Sequence, residues 1–290
     1  MLLCGTLSAK KSSRYMSNIE KLSQRHLEHL SLSSDLEFQG MLRGEAHAAG
    51  HLARERERVA NTLAAGGWGV ANAHGLALVR PLDWDSGHFG YACADLLRIY
   101  LIDPDSGEGS GDLVAGVLDG CRQRGVRLLS GRLSAGWIPT LGELTSRGAM
   151  VVDTSVELGR RLPLASPAGA PALVIRSGRP EEGDRLADIA QGFTLNRFHR
   201  DRRIDPVKAR GVYRGWARTA LEGRHGDLLL AEVEGEVAGL ATFAVADGEL
   251  GVGLVALVAV HPDFRGRRVL DALMAGCERA LGGDVLVTST

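Results

Sequence analysis

The stretch HPDFRGRRVLDALM, residues 261–274, puts one glycine and three arginines where an apolar, strand-like run gives way to a helix-like one. The first turn of a helix has unpaired backbone N–H groups and the positive end of the helix dipole, so it suits a phosphate or pyrophosphate. Gly266 lets backbone come close to an anion, and Arg265, Arg267 and Arg268 can add charge-assisted hydrogen bonds to phosphate oxygens. The plain alternative is a charged turn that keeps a helix start solvated. A second group of candidates lies in NRFHRDRRIDPVKARGVYRGWARTAL, residues 196–221. Arginine suits a diphosphate, and aromatic faces suit a base or a sugar ring. Arg197, His199 and Lys208 are among the cationic groups of this stretch, and Phe198 reads equally as core. Tyr213 and Trp216 fall on the core stripe of a helix, and Asp201 reads as a turn or cap.

Other groups argue for less. His47 and His51 stand four apart, a spacing that could hold a metal, but no third ligand lies near, and a solvated helix face is the reading. The cysteines Cys4, Cys93, Cys121 and Cys277 form no CxxC pair and fit a reducing compartment. A net charge of −1 gives no basic field for nucleic acid. No apolar run reaches the roughly 18–20 residues of a membrane span. The opening MLLCGTLSAKKSS has its lysines on the wrong side of its apolar part for a secretory signal. The expectation is a cytoplasmic protein with no metal, nucleic-acid or membrane partner.

These residues need elements to place them. Residues 1–74 read as an N-terminal extension, helical or disordered, with Leu52, Val59 and Leu63 at helical spacing. Residues 75–162 read as a small α/β domain. Its strands are GLALVR, ADLLRIYLI, VRLLSGRL and MVVDTSVEL. One helix carries Val114, Val117, Leu118 and Cys121 on one face, and a second is IPTLGELTSRG. Residues 163–171, with Pro163, Pro167 and Pro171, read as a linker. From residue 172 to 290 the order is strand, helix, helix, three strands in a meander, helix, strand. Leu186, Ile189, Ala190 and Phe193 mark the first of these helices, and Tyr213, Trp216, Ala217, Ala220 and Leu221 the second. In the third, Leu270, Leu273, Met274, Cys277 and Leu281 are expected to face inward. Glu232 and Asp247 are the meander's acidic groups open to a base role, against the plain reading of exposed turn charges.

On these residues the segment from about Ala172 to Thr290 resembles the GNAT acetyltransferases, which bind acetyl-CoA at a strand-loop-helix unit. LVALVAVHPDFRGRRVLDALM is similar to their central pattern, Arg/Gln-x-x-Gly-x-Gly/Ala. Arg265 matches its first position and Gly266 a frequent extra glycine. Arg268 stands where the family has glycine, and Leu270 where it has glycine or alanine. Both departures add bulk; Arg268 also brings charge, and Leu270 reads as a helix-core residue. The resemblance implies that Val258, Ala259 and Val260 pair their backbone with the pantetheine arm as an added strand does. It also implies that Arg265, Gly266, Arg267, Arg268, Val269 and Leu270 meet the pyrophosphate. The fold implied is a GNAT fold, an α/β architecture with a mixed, mostly antiparallel sheet and flanking helices. It is expected to be incomplete at the C-terminus and preceded by a smaller α/β domain.

Residues 196–221 also resemble a segment of the TDP-fucosamine acetyltransferase group, which acetylates the amine of a nucleotide-linked 4-amino-4,6-dideoxy sugar. Arg197, Phe198, His199, Asp201, Lys208, Ala209, Tyr213 and Trp216 match; Asn196 replaces a serine, and Arg203 lies near a usual proline. PLDWDSGHFGYACADL, residues 81–96, is similar to the opening of that group's amino-terminal domain through Trp84, Asp85, Ser86, Phe89 and Gly90. The implied partner is a small-molecule amine, a nucleotide sugar, held by Trp84, Phe89, Arg197, Phe198, His199 and Lys208, with room for a homodimer. The general acid implied is a tyrosine after the fifth strand, yet no tyrosine follows Tyr213. No catalytic residue is therefore assigned. The chain reads as a fragment or truncation, its fifth strand is expected to be a bare edge, and its activity is expected to be low.

Overall fold

The apolar runs of the sequence pair into two sheets, one in each of two units that divide between Val151 and Val152. The computed structural model describes residues 57–103, 105–162, 173–193, 197–223, 226–247, 251–283 and 285–289. His47, His51 and residues 163–171 of the expected linker lie outside them. No helix among the described residues is long and apolar enough to cross a membrane.

The first unit contains β1 (Trp68–Ala71), β2 (Gly75–Pro81), α1 (Asp83–Phe89), β3 (Cys93–Leu101), α2 (Ser110–Gln123), β4 (Leu128–Gly131) and α3 (Ile138–Ser146). Its sheet runs β1-β2-β3-β4, antiparallel except for the parallel pair β3–β4 that α2 connects. Leu113, Val117 and Cys121 of α2 pack on Ala77, Val79, Ile99 and Leu101. The sheet begins before Gly75, because Trp68–Ala71 pair with residues 76–79. Residues 57–64 are helical, with Val59 buried against Leu76 and Leu78.

The second unit contains β5 (Glu157–Arg161), β6 (Val174–Ser177), α4 (Gly183–Ala190), α5 (Arg197–Arg200), α6 (Pro206–Ala220), β7 (Asp227–Val233), β8 (Glu236–Asp247), β9 (Val252–Val260), α7 (Val269–Leu281) and β10 (Val285–Ser289). The sheet order is β5-β10-β9-β8-β7-β6, and only β9–β10 is parallel. The mixed, mostly antiparallel sheet with flanking helices is thus present. Val269, Leu273 and Cys277 of α7 cover one face with Ala231, Phe243, Val255 and Leu286. α4 and α6 cover the other, where Leu186, Ile189 and Ala217 meet Leu230, Leu240 and Leu257. Pro206 opens α6 behind Asp205, whose side chain accepts the Val207 N–H at 2.7 Å.

Three expectations are overturned. The strand placed at residues 150–158 of the first domain lies instead at Glu157–Arg161, in the second sheet, antiparallel to β10. Residues 151–156 are irregular, and the apolar Val285 and Leu286 find their outer partner in β5, so the edge expected to be bare is covered. Leu270 is 47% exposed and belongs to no core. The buried stripe of α7 starts one residue earlier, at Val269, and continues through Leu273, Gly276 and Cys277 at helical spacing.

The two units share a plan. Apart from α1, which lies between β2 and β3, β1-β2-β3-α2-β4 and β7-β8-β9-α7-β10 have the same order and the same strand directions. Both connecting helices start behind a left-handed residue, Gly109 (φ 77°) and Arg268 (φ 61°), with a second left-handed residue two positions earlier, Gly107 (φ 65°) and Gly266 (φ 78°). The loops differ in charge and access. Pro139 fills the space beside Gly107, His74 that beside Gly109, and Asp103, Asp105 and Glu108 make the first loop acidic. Beside Gly266 the space is open, and the flanking residues are arginines. Only the second loop has the charge and the room for an anion.

Candidate functional site

The second unit's site begins at a fault in strand register. Val285 N–H donates to Gly251 O at 3.1 Å, which fixes Gly251, Gly253 and Val255 as the β9 residues whose backbone groups face β10. His261 N–H donates to Ala238 O at 2.8 Å, which fixes His261, Ala259 and Leu257 as facing β8. The two parities meet at Ala256, an extra residue where the β8–β9 register shifts between Thr242 and Phe243. The bulge turns Leu257 away from β10, and the β9–β10 ladder stops at the pair Val255–Thr288. Beyond it, Val258 and Val260 present backbone N–H and C=O groups to a side with no strand among the described residues. Of the three residues expected to offer such groups, Ala259 is the exception, because its own are directed at Leu240 of β8.

β9 then runs into the cationic loop. His261 caps a 3-10 turn, Pro262–Phe264, its Nδ1 accepting the Asp263 N–H at 3.3 Å. Its Nε2 lies 3.5 Å from Asp188 at the end of α4. Phe264 is buried beneath the loop. Arg267 stacks on that ring at 5.4 Å, and the Arg265 guanidinium rests against Gly192. Arg268 turns back to Asp271, Nε to Oδ2 at 3.0 Å. Val269 is core, so only its backbone faces the loop. Gly239 on β8 lets this helix start approach, since a Cβ there would stand 2.9 Å from the Val269 side chain.

Arg268 holds the left-handed conformation that glycine takes at the matching Gly109. For a residue with a Cβ that conformation costs roughly 1–2 kcal/mol, more than an exposed ion pair of about 0.5 kcal/mol returns. Arg268→Gly is therefore expected to raise stability by roughly 0.5–1 kcal/mol, read from urea midpoints at unchanged slope.

On the other face an aromatic row leads from Gly192 toward the second group of candidates. Phe193 stacks on Tyr213 at 4.7 Å, Tyr213 tilts on Trp216 at 5.0 Å, and Phe198 meets Trp216 edge-on at 6.0 Å. Arg197 lies over the Phe198 ring at 4.8 Å. Phe198 is only 4% exposed, so it anchors α5 and does not itself face a ligand as expected. Asp201 is buried and accepts hydrogen bonds from Arg203 N, Nε and Nη2 at 2.7–3.0 Å. The Arg203 guanidinium holds its carboxyl below the usual carboxylate range. This pair shapes the α5–α6 turn that sets Arg197 and His199 on α5 and half-buried Lys208 on α6. Glu232 is bound to Arg176 at 2.8 Å, beside Glu182, and has no base role. The side chain of Asp247 lies outside the described residues.

Trp84 and Phe89 sit on α1 of the first unit. Phe89 is 1% exposed and is core, contrary to the expectation of a ligand contact. Trp84 is half-buried and stacks on His88 at 5.0 Å.

The sequence reading missed the bulge at Ala256 and also Thr242 opposite it. The Thr242 hydroxyl is fully buried, faces Leu228 and Leu257 across the sheet, and has no hydrogen-bond partner among the described residues. Replacing it with a methyl group removes an unsatisfied polar atom. Thr242→Val is expected to stabilise the protein by about 1 kcal/mol, a rise of roughly 2–4 °C in the thermal midpoint.

A three-strand meander, a bulged third strand and an arginine-glycine loop opening a helix come together in the second unit. Residues 191–285, about a third of the chain, match the model of the Acetyltransferase (GNAT) family, which puts that pattern on the elements from the end of α4 to β10. The chain is 32% identical over 101 residues to the spore coat polysaccharide biosynthesis protein SpsD of Bacillus subtilis (strain 168), 34% of each chain. It thus spans about a third of the length of that curated relative. Among solved structures, a GCN5-related N-acetyltransferase from Sphaerobacter thermophilus has a TM-score of 0.46 at 17% identity, covering 74% of this chain and 67% of its own. The GCN5-related glucosamine N-acetyltransferase region of a fungal GH3 β-N-acetylglucosaminidase has a TM-score of 0.49 at 16% identity, covering 74% and 28%.

Proposed function

We propose that the chain is an N-acetyltransferase that moves acetyl from acetyl-CoA to the amine of a nucleotide-linked amino-deoxy sugar. The observation that carries the donor half is the bulge at Ala256, which frees the backbone of Val258 and Val260 beside the loop of Arg265, Gly266, Arg267 and Arg268. An extended amide-bearing arm pairs with such an edge as a strand does, and a pyrophosphate suits the helix start and its arginines. The acceptor half draws on the partial similarity to a polysaccharide biosynthesis protein and on Arg197 and Lys208 beside the aromatic row; the ring nitrogens of His199 are buried.

Acyl transfer here is direct attack. A neutral amine forms the C–N bond, the C–S bond breaks, and the thiolate leaves with a proton. The chain's part is to hold the thioester extended along β9 and to aim backbone N–H groups at its carbonyl oxygen. The test is CoA release from acetyl-CoA in the presence of a dTDP-linked 4-amino-4,6-dideoxy sugar. Release that depends on the nucleotide sugar supports the assignment. Release with polyamines or other amines, and none with the sugar, moves the acceptor elsewhere. Calorimetry that detects no acetyl-CoA binding refutes the donor site.

A further inference from the structure

Val255 is the last β9 residue in the ladder with β10; its pairing with Thr288 directs the Ser289 N–H at its carbonyl, and Thr288 Oγ1 donates to the same Val255 O at 3.0 Å. The next β10 residue, Ser289, still pairs with Glu157 of β5, while its β9 neighbour, Ala256, has left the ladder. The two strands therefore part within one residue, at the peptide that Thr288 holds. That peptide joins Val255 to the bulge. With its carbonyl fixed toward β10, the Ala256 N–H points the opposite way, to β8, and the slip in parity that exposes Val258 and Val260 begins there.

We propose that Thr288 is a positioning residue for the donor cleft, its hydroxyl pinning the Val255 carbonyl so that the β9–β10 ladder ends there. This rests on the reading of the cleft as the acetyl-CoA site. The residue touches no reacting atom. It decides where the gap between β9 and β10 opens, and so which amides a bound thioester finds. The facing of Val258 and Val260 is set by their pairing with Ala241 and Gly239 of β8; the bond to Val255 fixes where the β9–β10 ladder ends, and without it that end frays and the gap beside Val258 is less well defined.

The test compares Thr288→Val, which keeps the shape and removes the donor, with Thr288→Ser, which keeps the donor. Acetyl-CoA affinity is measured by calorimetry, with thermal midpoints alongside. Thr288→Val is expected to weaken binding about five- to tenfold, the worth of one hydrogen bond, and to raise KM with little change in kcat. Thr288→Ser is expected to stay within about twofold of the parent, which a role in packing alone would not produce. Parent-like binding by Thr288→Val overturns the assignment and leaves the donor cleft standing, and so does an equal loss in Thr288→Ser. A parent protein that binds no acetyl-CoA brings down the cleft reading itself, and this role with it.

Discussion

Proline at position 258 is expected to abolish acetyl-CoA binding in a protein that still folds. The Val258 N–H faces the open side of β9, so Val258→Pro removes no bond of the β8–β9 ladder, and proline is tolerated where a strand's N–H has no partner. What it removes is the amide offered to an extended ligand. Loss of that bond, with the ring in the path of the arm, is expected to cost at least about a hundredfold in affinity, near 3 kcal/mol. Ala259→Pro is the contrast. Its N–H is spent on Leu240 of β8, so the substitution is expected to destabilise the protein by about 3 kcal/mol or more. Circular dichroism and calorimetry on the pair separate the two outcomes. Equal unfolding in both would show that Val258 is an ordinary ladder residue.

The second large effect concerns where the second unit begins. A chain started at residue 172, the boundary suggested by the proline-rich stretch, is expected to be severely destabilised relative to one started at residue 152. The shorter chain lacks β5, whose five-residue register covers β10, and Leu162, which packs on the α7 core. Several ladder hydrogen bonds at roughly 0.5–1.5 kcal/mol each are lost, and an unpaired edge beside Val285 and Leu286 invites association with other chains. Thermal midpoints are expected to differ by about 10 °C or more, with the shorter chain aggregating on heating. Equal midpoints would show that β5 contributes nothing to this sheet.

Much of the second unit was legible because its signals are local. Apolar runs with tight turns gave β7, β8 and β9, and helical spacing gave α4, α6 and α7. The loop from Arg265 to Arg268 was legible for the same reason, since charge and glycine sit together in a few residues. What escaped depends on partners distant in sequence. Glu157–Arg161 has no alternation of its own and is a strand because of β10. The bulge at Ala256 lies within the unbroken apolar run Leu254–Val260 and exists only as a mismatch between the registers of β8 and β10. Phe198 and Phe89 matched a motif, but whether an aromatic ring is offered or packed is a matter of tertiary burial. Leu270 was misread by a single position on the helix wheel, which is enough to move a side chain out of a core.

The placement of β5 also has a consequence in time. A ribosome releases residues 157–161 early, but their partner in the sheet, residues 285–289, emerges far later, after every other strand of that sheet. Until then β5 has nothing to pair with, and β9 has β8 on one side only. Closing the sheet means threading β10 between two strands that already exist. That contact, among the most remote in sequence between the described residues, is expected to form last and to set the pace of folding.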